Sequence, residues 1–179
     1  MSEILTYTRV MIDPVNPRAE LIRIQDIAHA LSMLCRANGH FKTFYSVGQH
    51  CINCAREAAA RGYSGTVQLA CLLHDGSEAY LADITRPVKK ELPRYLEIEA
   101  PLQDMIWEKF LGRSLSPEER KQVFEIDDDV LYHEFLAFVD LRLTDREPPM
   151  LSEPVFAFAG FAETEQAYLD CFQALLKGL

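Results

Sequence analysis

The apolar run Val67-Gln68-Leu69-Ala70-Cys71-Leu72-Leu73 is closed by His74 and Asp75, with Glu78 and Asp83 a short distance further on. A hydrophobic helix gains no stability by ending in an imidazole beside a carboxylate, because both must be hydrogen-bonded or ligated once buried. The two groups do form a good ligand pair for a divalent metal. His50 and one of Asp127, Asp128 or Asp129 could complete the set. Two His and two Asp suit Mn, Co, Fe, Ni or Zn better than calcium. Cys51-x-x-Cys54 follows His50, but zinc sites of that type need a second ligand pair at suitable spacing, and none is offered. Both cysteines are expected to pack as small hydrophobes, and His29 and His133 are expected to be structural.

Such donors must be brought together by separate elements. Asp26 suits the N-cap of a first helix to about Arg36, with Ile27, Ala28, Leu31, Leu34 and Cys35 as its apolar stripe and Asn38-Gly39 as its stop. Ser46 can cap a second helix through Arg61, ended by Gly62. A third, about Gly65 to Gly76, is apolar almost all round, as a central buried helix is. Antiparallel packing of these two would bring His50, at the start of one, to His74 and Asp75 at the end of the other. Glu78 to Asp83 makes a further turn, and Pro87 bars simple continuation.

Another helix is expected over about Tyr95–Leu111, with Pro101 kinking it or marking its first turn. Ser116-Pro117-Glu118-Glu119 is a capping box, starting a helix that runs through Asp127 to about Val139. The acidic triple then lies about two turns in, so at most one of its carboxylates faces a given site. Residues 140–160, with Pro148, Pro149 and Pro154, read as a long ordered loop. A last amphipathic helix, about Glu163–Leu176, closes at Gly178. Residues 1–25 read as an extended arm, and no strand alternation appears. The expectation is one all-α domain, 1–179, a bundle of six or seven helices with its core at about 26–139 and a C-terminal loop and helix at 140–179.

A length of 179 residues suits one domain with a real core. With 49% hydrophobic and 25% charged residues, the composition rules against a disordered chain. Five cysteines, an odd number placed inside apparent helices, argue against a disulfide framework. A net charge of −9 gives no support to a nucleic-acid-binding surface. No apolar run reaches the roughly 18 residues of a membrane span, and Met1-Ser2-Glu3-Ile4-Leu5-Thr6-Tyr7 lacks the marks of a signal peptide. A cytoplasmic protein that binds something small, with no nucleic-acid or membrane partner, is expected.

The order His … His-Asp … Asp, all on helices, resembles the HD-domain superfamily of metal-dependent phosphohydrolases. Three stretches carry the resemblance: Tyr45-Ser46-Val47-Gly48-Gln49-His50, Leu72-Leu73-His74-Asp75-Gly76-Ser77-Glu78, and Asp127 with Leu131 and Glu134 in D-x-x-x-L-x-x-E spacing. The resemblance covers about residues 26–139 and implies an HD-domain-like bundle. It selects Asp127 as the last metal ligand beside His50, His74 and Asp75, with Asp128 as the fallback. Dinuclear members use additional histidines, and none occurs between Asp75 and Asp127. One divalent metal ion (Mn, Co, Fe, Ni, Zn or Mg) is therefore expected.

Within that superfamily the likeness is greatest to bacterial 5′-deoxynucleotidases, through His74-Asp75-Gly76-Ser77-Glu78, Asp83 and Thr85-Arg86-Pro87-Val88-Lys89. This implies catalytic roles for Glu78 and Asp83 and a phosphate contact by Arg36. His40 and Lys89 are further candidates for the phosphate. The tryptophan that follows the arginine in those enzymes is replaced here by Ala37.

The implied activity is release of phosphate from a (deoxy)nucleoside 5′-monophosphate by metal-activated water. Hydrolysis of a guanosine polyphosphate signal or a cyclic nucleotide is the alternative in the same chemistry; non-catalytic nucleotide binding and a helical scaffold are the alternatives outside it. Glu78 and Asp83 count against a pure binder, which gains little from acids near a phosphate. Similar nucleotidases form homodimers, so the resemblance implies a homodimer; Phe156, Phe158 and Phe161 could serve an interface or cap the core.

Overall fold

The computed structural model describes residues 3–179, so Met1 and Ser2 of the expected arm lie outside the described residues. Strand β1 (Ile4–Leu5) pairs antiparallel with β2 (Met11–Ile12), a hairpin too short for alternation to reveal. The remaining regular structure is helical. Its long members are α1 (Ile24–Met33), α2 (Val47–Ala60), α3 (Gly65–Leu73), α6 (Pro93–Leu111), α7 (Pro117–Val139) and α8 (Phe161–Lys177). Two single turns, α4 (Glu78–Leu81) and α5 (Arg86–Lys89), lie between α3 and α6. The chain is an all-α bundle, and no helix among the described residues is long and apolar enough to cross a membrane.

Helix α2 is central, packed against α1, α3, α7 and α8. A full capping box starts it: Ser46 Oγ accepts from Gln49 N, and Gln49 Oε1 accepts from Ser46 N. Gly62, at φ +73, ends its C-terminal turn, and Ser64 caps α3 directly afterwards. So short a connection folds α3 back along α2. Leu69, Leu72 and Leu73 of α3 are fully buried, because α2, α6, α7 and α8 surround it. Burial of each such side chain is worth about 1.5–3 kcal/mol.

Several local expectations are corrected. Helix α1 begins at Ile24, and Asp26 is buried in its first turn rather than capping it. Its carboxylate accepts from Thr8 N at 2.7 Å and Thr8 Oγ1 at 2.9 Å, tying the hairpin to the bundle. That partner is distant in sequence, so a capping rule cannot see it. Helix α1 stops at Met33, because Leu34 turns extended and Cys35 bridges to Ser46. Residues Arg36–Gly39 then form a 3-10 turn with Ala37, Asn38 and Gly39 at positive φ. Pro87 and Pro93 each sit in the first turn of a helix, where the missing N–H is harmless. Helix α6 thus starts ahead of Tyr95, with Pro101 in its interior.

Residues 140–160 contain no helix or strand, yet α2 holds part of them closely. Gln49, Asn53 and Glu57 stand one helical turn apart on one face. Gln49 Nε2 donates to Ala157 O, Asn53 donates to Val155 O and accepts from Val155 N, and Glu57 accepts from Leu151 N and Ser152 N. Phe156 packs against Tyr45 and Phe138, so it caps a small aromatic core; Phe158 and Phe161 stay exposed, edge-on to Phe44.

Candidate metal centre and its cavity

His50 lies one turn into α2, and His74 is the C-cap of α3, so the antiparallel pair brings them together as the spacing predicts. Their Nε2 atoms are 3.2 Å apart. Asp127, from the middle of α7, places Oδ1 3.0 Å from His50 Nε2 and 3.6 Å from His74 Nε2. Asp75 Oδ2 is 3.3 Å from His74 Nε2 and 3.9 Å from His50 Nε2. Metal–donor bonds of about 2.0–2.2 Å put neighbouring donors about 2.8–3.6 Å apart. The observed spacings lie in or close to that range.

Both histidines spend Nδ1 elsewhere. His50 Nδ1 donates to Glu134 Oε1 at 2.6 Å, and His74 Nδ1 to the Cys71 carbonyl at 2.7 Å. In the neutral ring each bond leaves the Nε2 lone pair facing the other donors, as in metal-binding histidines generally; in the metal-free chain Nε2 can instead carry a proton for Asp127 to accept. Glu134 lay within the quoted motif but was assigned no role from sequence; its spacing from Asp127 was the available signal.

Thiols also approach the cluster. His50, Cys54 and His74 form one group able to hold a metal ion, and Cys51, His74 and Asp75 form another, with all donor atoms of each group within 4.8 Å of one another. Cys54 Sγ is 3.5 Å from His50 Nε2 and 3.9 Å from Nδ1, nearly equidistant. That places sulfur beside the ring rather than along the Nε2 lone pair. Burial also pushes the Cys54 thiol well up, and the Cys51 thiol up to about 11, which disfavours thiolate ligands. The two carboxylates are the better partners for the histidines.

The electrostatics fit a cation. Asp75 Oδ2 and Glu78 Oε2 are buried without a hydrogen-bond partner. Such atoms are rare and call for an explanation; for Asp75 Oδ2, beside two imidazole nitrogens, a metal ion would supply one. Burial alone would disfavour charge on His50 and His74. Glu134 and Asp127 outweigh it for His50, and Asp75 and Asp127 for His74, so both imidazoles are raised. Burial likewise works against an ionised Asp127, but hydrogen bonds from His50 and His74 hold it well below the usual carboxylate range. This cluster draws positive charge to itself.

The cluster adjoins a cavity of about 950 Å³ lined from α6, α7, the Arg36–Gly39 turn and the segment 82–89. Arg36, His40, Glu78, Asp83 and Lys89 all line it. Arg36 is largely committed: Nη2 is 3.4 Å from Glu134 Oε2, and Nη1 is 3.6 Å from Asp75 Oδ2. Lys89 Nζ donates to Glu99 Oε1 at 2.7 Å and stands 3.6 Å from Glu78 Oε1, so acids rather than open space surround it. Asp127 and Asp128 share Arg86 and both line the cavity, so two of the three carboxylates face one site rather than the single one expected; only Asp129, on Arg61, diverges. His29 pairs with Glu165 and stacks on Tyr7, and His133 faces the Pro148 carbonyl, each away from the cluster. Arg86, which lies in the quoted stretch Thr85–Lys89 but has no role assigned there, also lines the cavity, as does Trp107; only the chain path between α4 and α6 brings them there.

Fold and site together define an all-α protein with a buried His/Cys/Asp group that can hold a metal ion. The uncharacterized protein YfdR of Escherichia coli is 39% identical to it over 89 residues, which are 50% of this chain and 47% of YfdR. An uncharacterized protein of Rhodobacter capsulatus is 32% identical over 125 residues, 66% of this chain and 63% of that relative. The chain thus covers under half of the first relative and under two thirds of the second. No family model matches the chain.

Proposed function

We propose that this protein is a metal-dependent phosphohydrolase of HD-domain type that releases phosphate from a nucleoside 5′-monophosphate. The observation that carries the reading is the convergence of His50 Nε2, His74 Nε2, Asp75 Oδ2 and Asp127 Oδ1 beside a cavity that also holds Glu78, Asp83 and Arg36. The four donors would hold one divalent cation. When bound, it would supply Lewis acidity, making water a better nucleophile near neutral pH and offsetting charge on the phosphoryl oxygens.

The chain's own residues account for the proton movements. Burial, with Asp75 and Asp83 nearby, pushes the Glu78 carboxyl well up, which strengthens it as a base toward a water proton. Burial also raises Asp83, which suits it to protonate the leaving 5′ oxygen. The water oxygen forms the new bond to phosphorus as the bond to the 5′ oxygen breaks; Glu78 gains the proton that water loses. Arg36, buried and held charged by Glu134, Asp75 and Asp127 despite the burial, contributes fixed positive charge. The products are a nucleoside and inorganic phosphate. A cytoplasmic setting belongs to the same proposal.

The test is turnover. Protein loaded with Mn or Co is expected to release phosphate from deoxynucleoside monophosphates, and Asp75→Ala to abolish release. Inertness of the loaded protein against a panel that also includes guanosine polyphosphates and cyclic nucleotides would sink the reading.

A further inference from the structure

Helix α4 ends at Ala82, whose φ of 79° and ψ of 154° fall in a region otherwise occupied almost only by glycine. That turn sends residues 83–89 back along the cavity, and three ties hold them. Tyr95 Oη donates to Ala82 O at 2.9 Å, Lys89 Nζ donates to Glu99 Oε1, and Arg86 is gripped by α7. Arg86 Nη2 donates to Asp127 Oδ2 at 2.5 Å, and Nη1 donates to Asp128 Oδ1.

Asp127 therefore divides its two oxygens. Oδ1 faces the histidines and Oδ2 faces Arg86, so a single carboxylate separates the guanidinium from the metal centre. The Arg86 side chain is 50% exposed and lines the cavity, whereas that of Arg36 is 11% exposed and committed to Glu134. A guanidinium has five N–H donors. The two carboxylates use one from each terminal nitrogen, and they orient the planar fork before any ligand arrives. A fork fixed in this way grips a tetrahedral oxyanion with less entropy to lose than a free lysine.

We propose that Arg86 is the residue that meets the phosphate of the substrate, with Asp127 and Asp128 holding it in readiness. This rests on the phosphohydrolase reading and adds to it a substrate contact that sequence spacing did not assign. The sign of the charge separates the contact from a merely structural role. A positive group beside a cation site does not strengthen cation binding by Coulomb's law. If Arg86 only steadied Asp127, its loss would weaken the metal. If it meets phosphate, its loss weakens the anion and leaves the metal held at least as tightly.

The experiment is calorimetric titration of the full chain, first with Mn and then, once loaded, with inorganic phosphate and with a non-hydrolysable phosphonate analogue of deoxyadenosine 5′-monophosphate. Arg86→Ala is expected to weaken binding of both anions about 10- to 100-fold, the range for loss of a charge-assisted hydrogen bond. Arg86→Lys is expected to recover part of that loss, and neither variant to weaken Mn binding. Wild-type anion affinity in Arg86→Ala would overturn the proposal, as would a tenfold loss of Mn affinity with anion binding unchanged. A wild-type protein that binds Mn but neither anion would remove the phosphohydrolase reading itself, and this assignment with it.

Discussion

Glu134 Oε1 accepts a 2.6 Å hydrogen bond from His50 Nδ1, and both side chains are wholly inaccessible to solvent. Burial disfavours an ionised Glu134, but His50 and Arg36 outweigh it and hold the carboxyl below its ordinary range. An ionised acid behind a histidine makes the imidazole a better donor on its far side. Glu134→Gln is therefore expected to lower affinity for Co or Mn about 10- to 100-fold, read by calorimetry. Unchanged affinity would reduce Glu134 to a packing role.

Asp75 presents the opposite case, a buried oxygen without a hydrogen bond, with His74 and Arg36 only at ion-pair distances of 3.3 and 3.6 Å. In the metal-free protein, Asp75→Asn is expected to lower the melting temperature only slightly, since the ion pairs it breaks with Arg36 and His74 are long and carry no hydrogen bond. The rise in stability on adding metal, about 2.7 kcal/mol at 100-fold excess over Kd, should disappear. Thermal melts of both proteins with and without Co check the pair of outcomes. A metal-free Asn variant that melts well below wild type would mean that the ion pairs with Arg36 and His74 already satisfy Asp75 without a metal.

The ladder on α2 should carry stability without touching the metal. Asn53 joins Val155 N, Val155 O and Tyr45 Oη while almost fully buried. Asn53→Ala is expected to destabilise the fold by about 2 kcal/mol, since it strands buried backbone groups, while Co affinity stays within twofold of wild type. Denaturant melts measure the first, and titration of the folded variant the second.

The capping box of α7 has a pH signature. Arg113 binds Glu119 with both terminal nitrogens and, with Ser116 N, holds the Glu119 carboxyl down to about 2. A depressed folded-state value means that this stability is fully present above the unfolded carboxylate range, near pH 4.5, and is lost as pH falls from there toward 2. Wild type should melt above Glu119→Gln at pH 6, with the gap narrowing between pH 4.5 and 2. Because Arg113 is half exposed, salt should shrink the gap as well. A gap independent of pH would assign the effect to the cap alone.

The cap at Ser46, the capping box at Ser116 and the glycine stop after α2 were legible because each depends on residues adjacent in the chain. The metal candidates were legible for a similar reason: His50, His74 and Asp75 sit at helix ends whose pairing follows from one short connection. Asp26 misled because its partner, Thr8, comes from a hairpin whose strands are too short to show a period. Arg86 stood in a quoted stretch, but nothing local gave it a role, since its place depends on a positive-φ Ala82 and on ties to α6 and α7.

The sequence by itself determined the helices, the order in which they carry His50, His74-Asp75 and Asp127, and the chemical type of the donors. Those are consequences of caps, apolar periodicity and residue identity, all short-range. Tertiary structure alone decided which oxygen of Asp127 faces the histidines and which faces Arg86. It also set Glu134 behind His50, turned Arg36 inward, and surrounded Lys89 with acids. Each of these depends on where α7 and the segment 82–89 lie relative to α2, a long-range relation that packing and buried charge settle only once the bundle has closed.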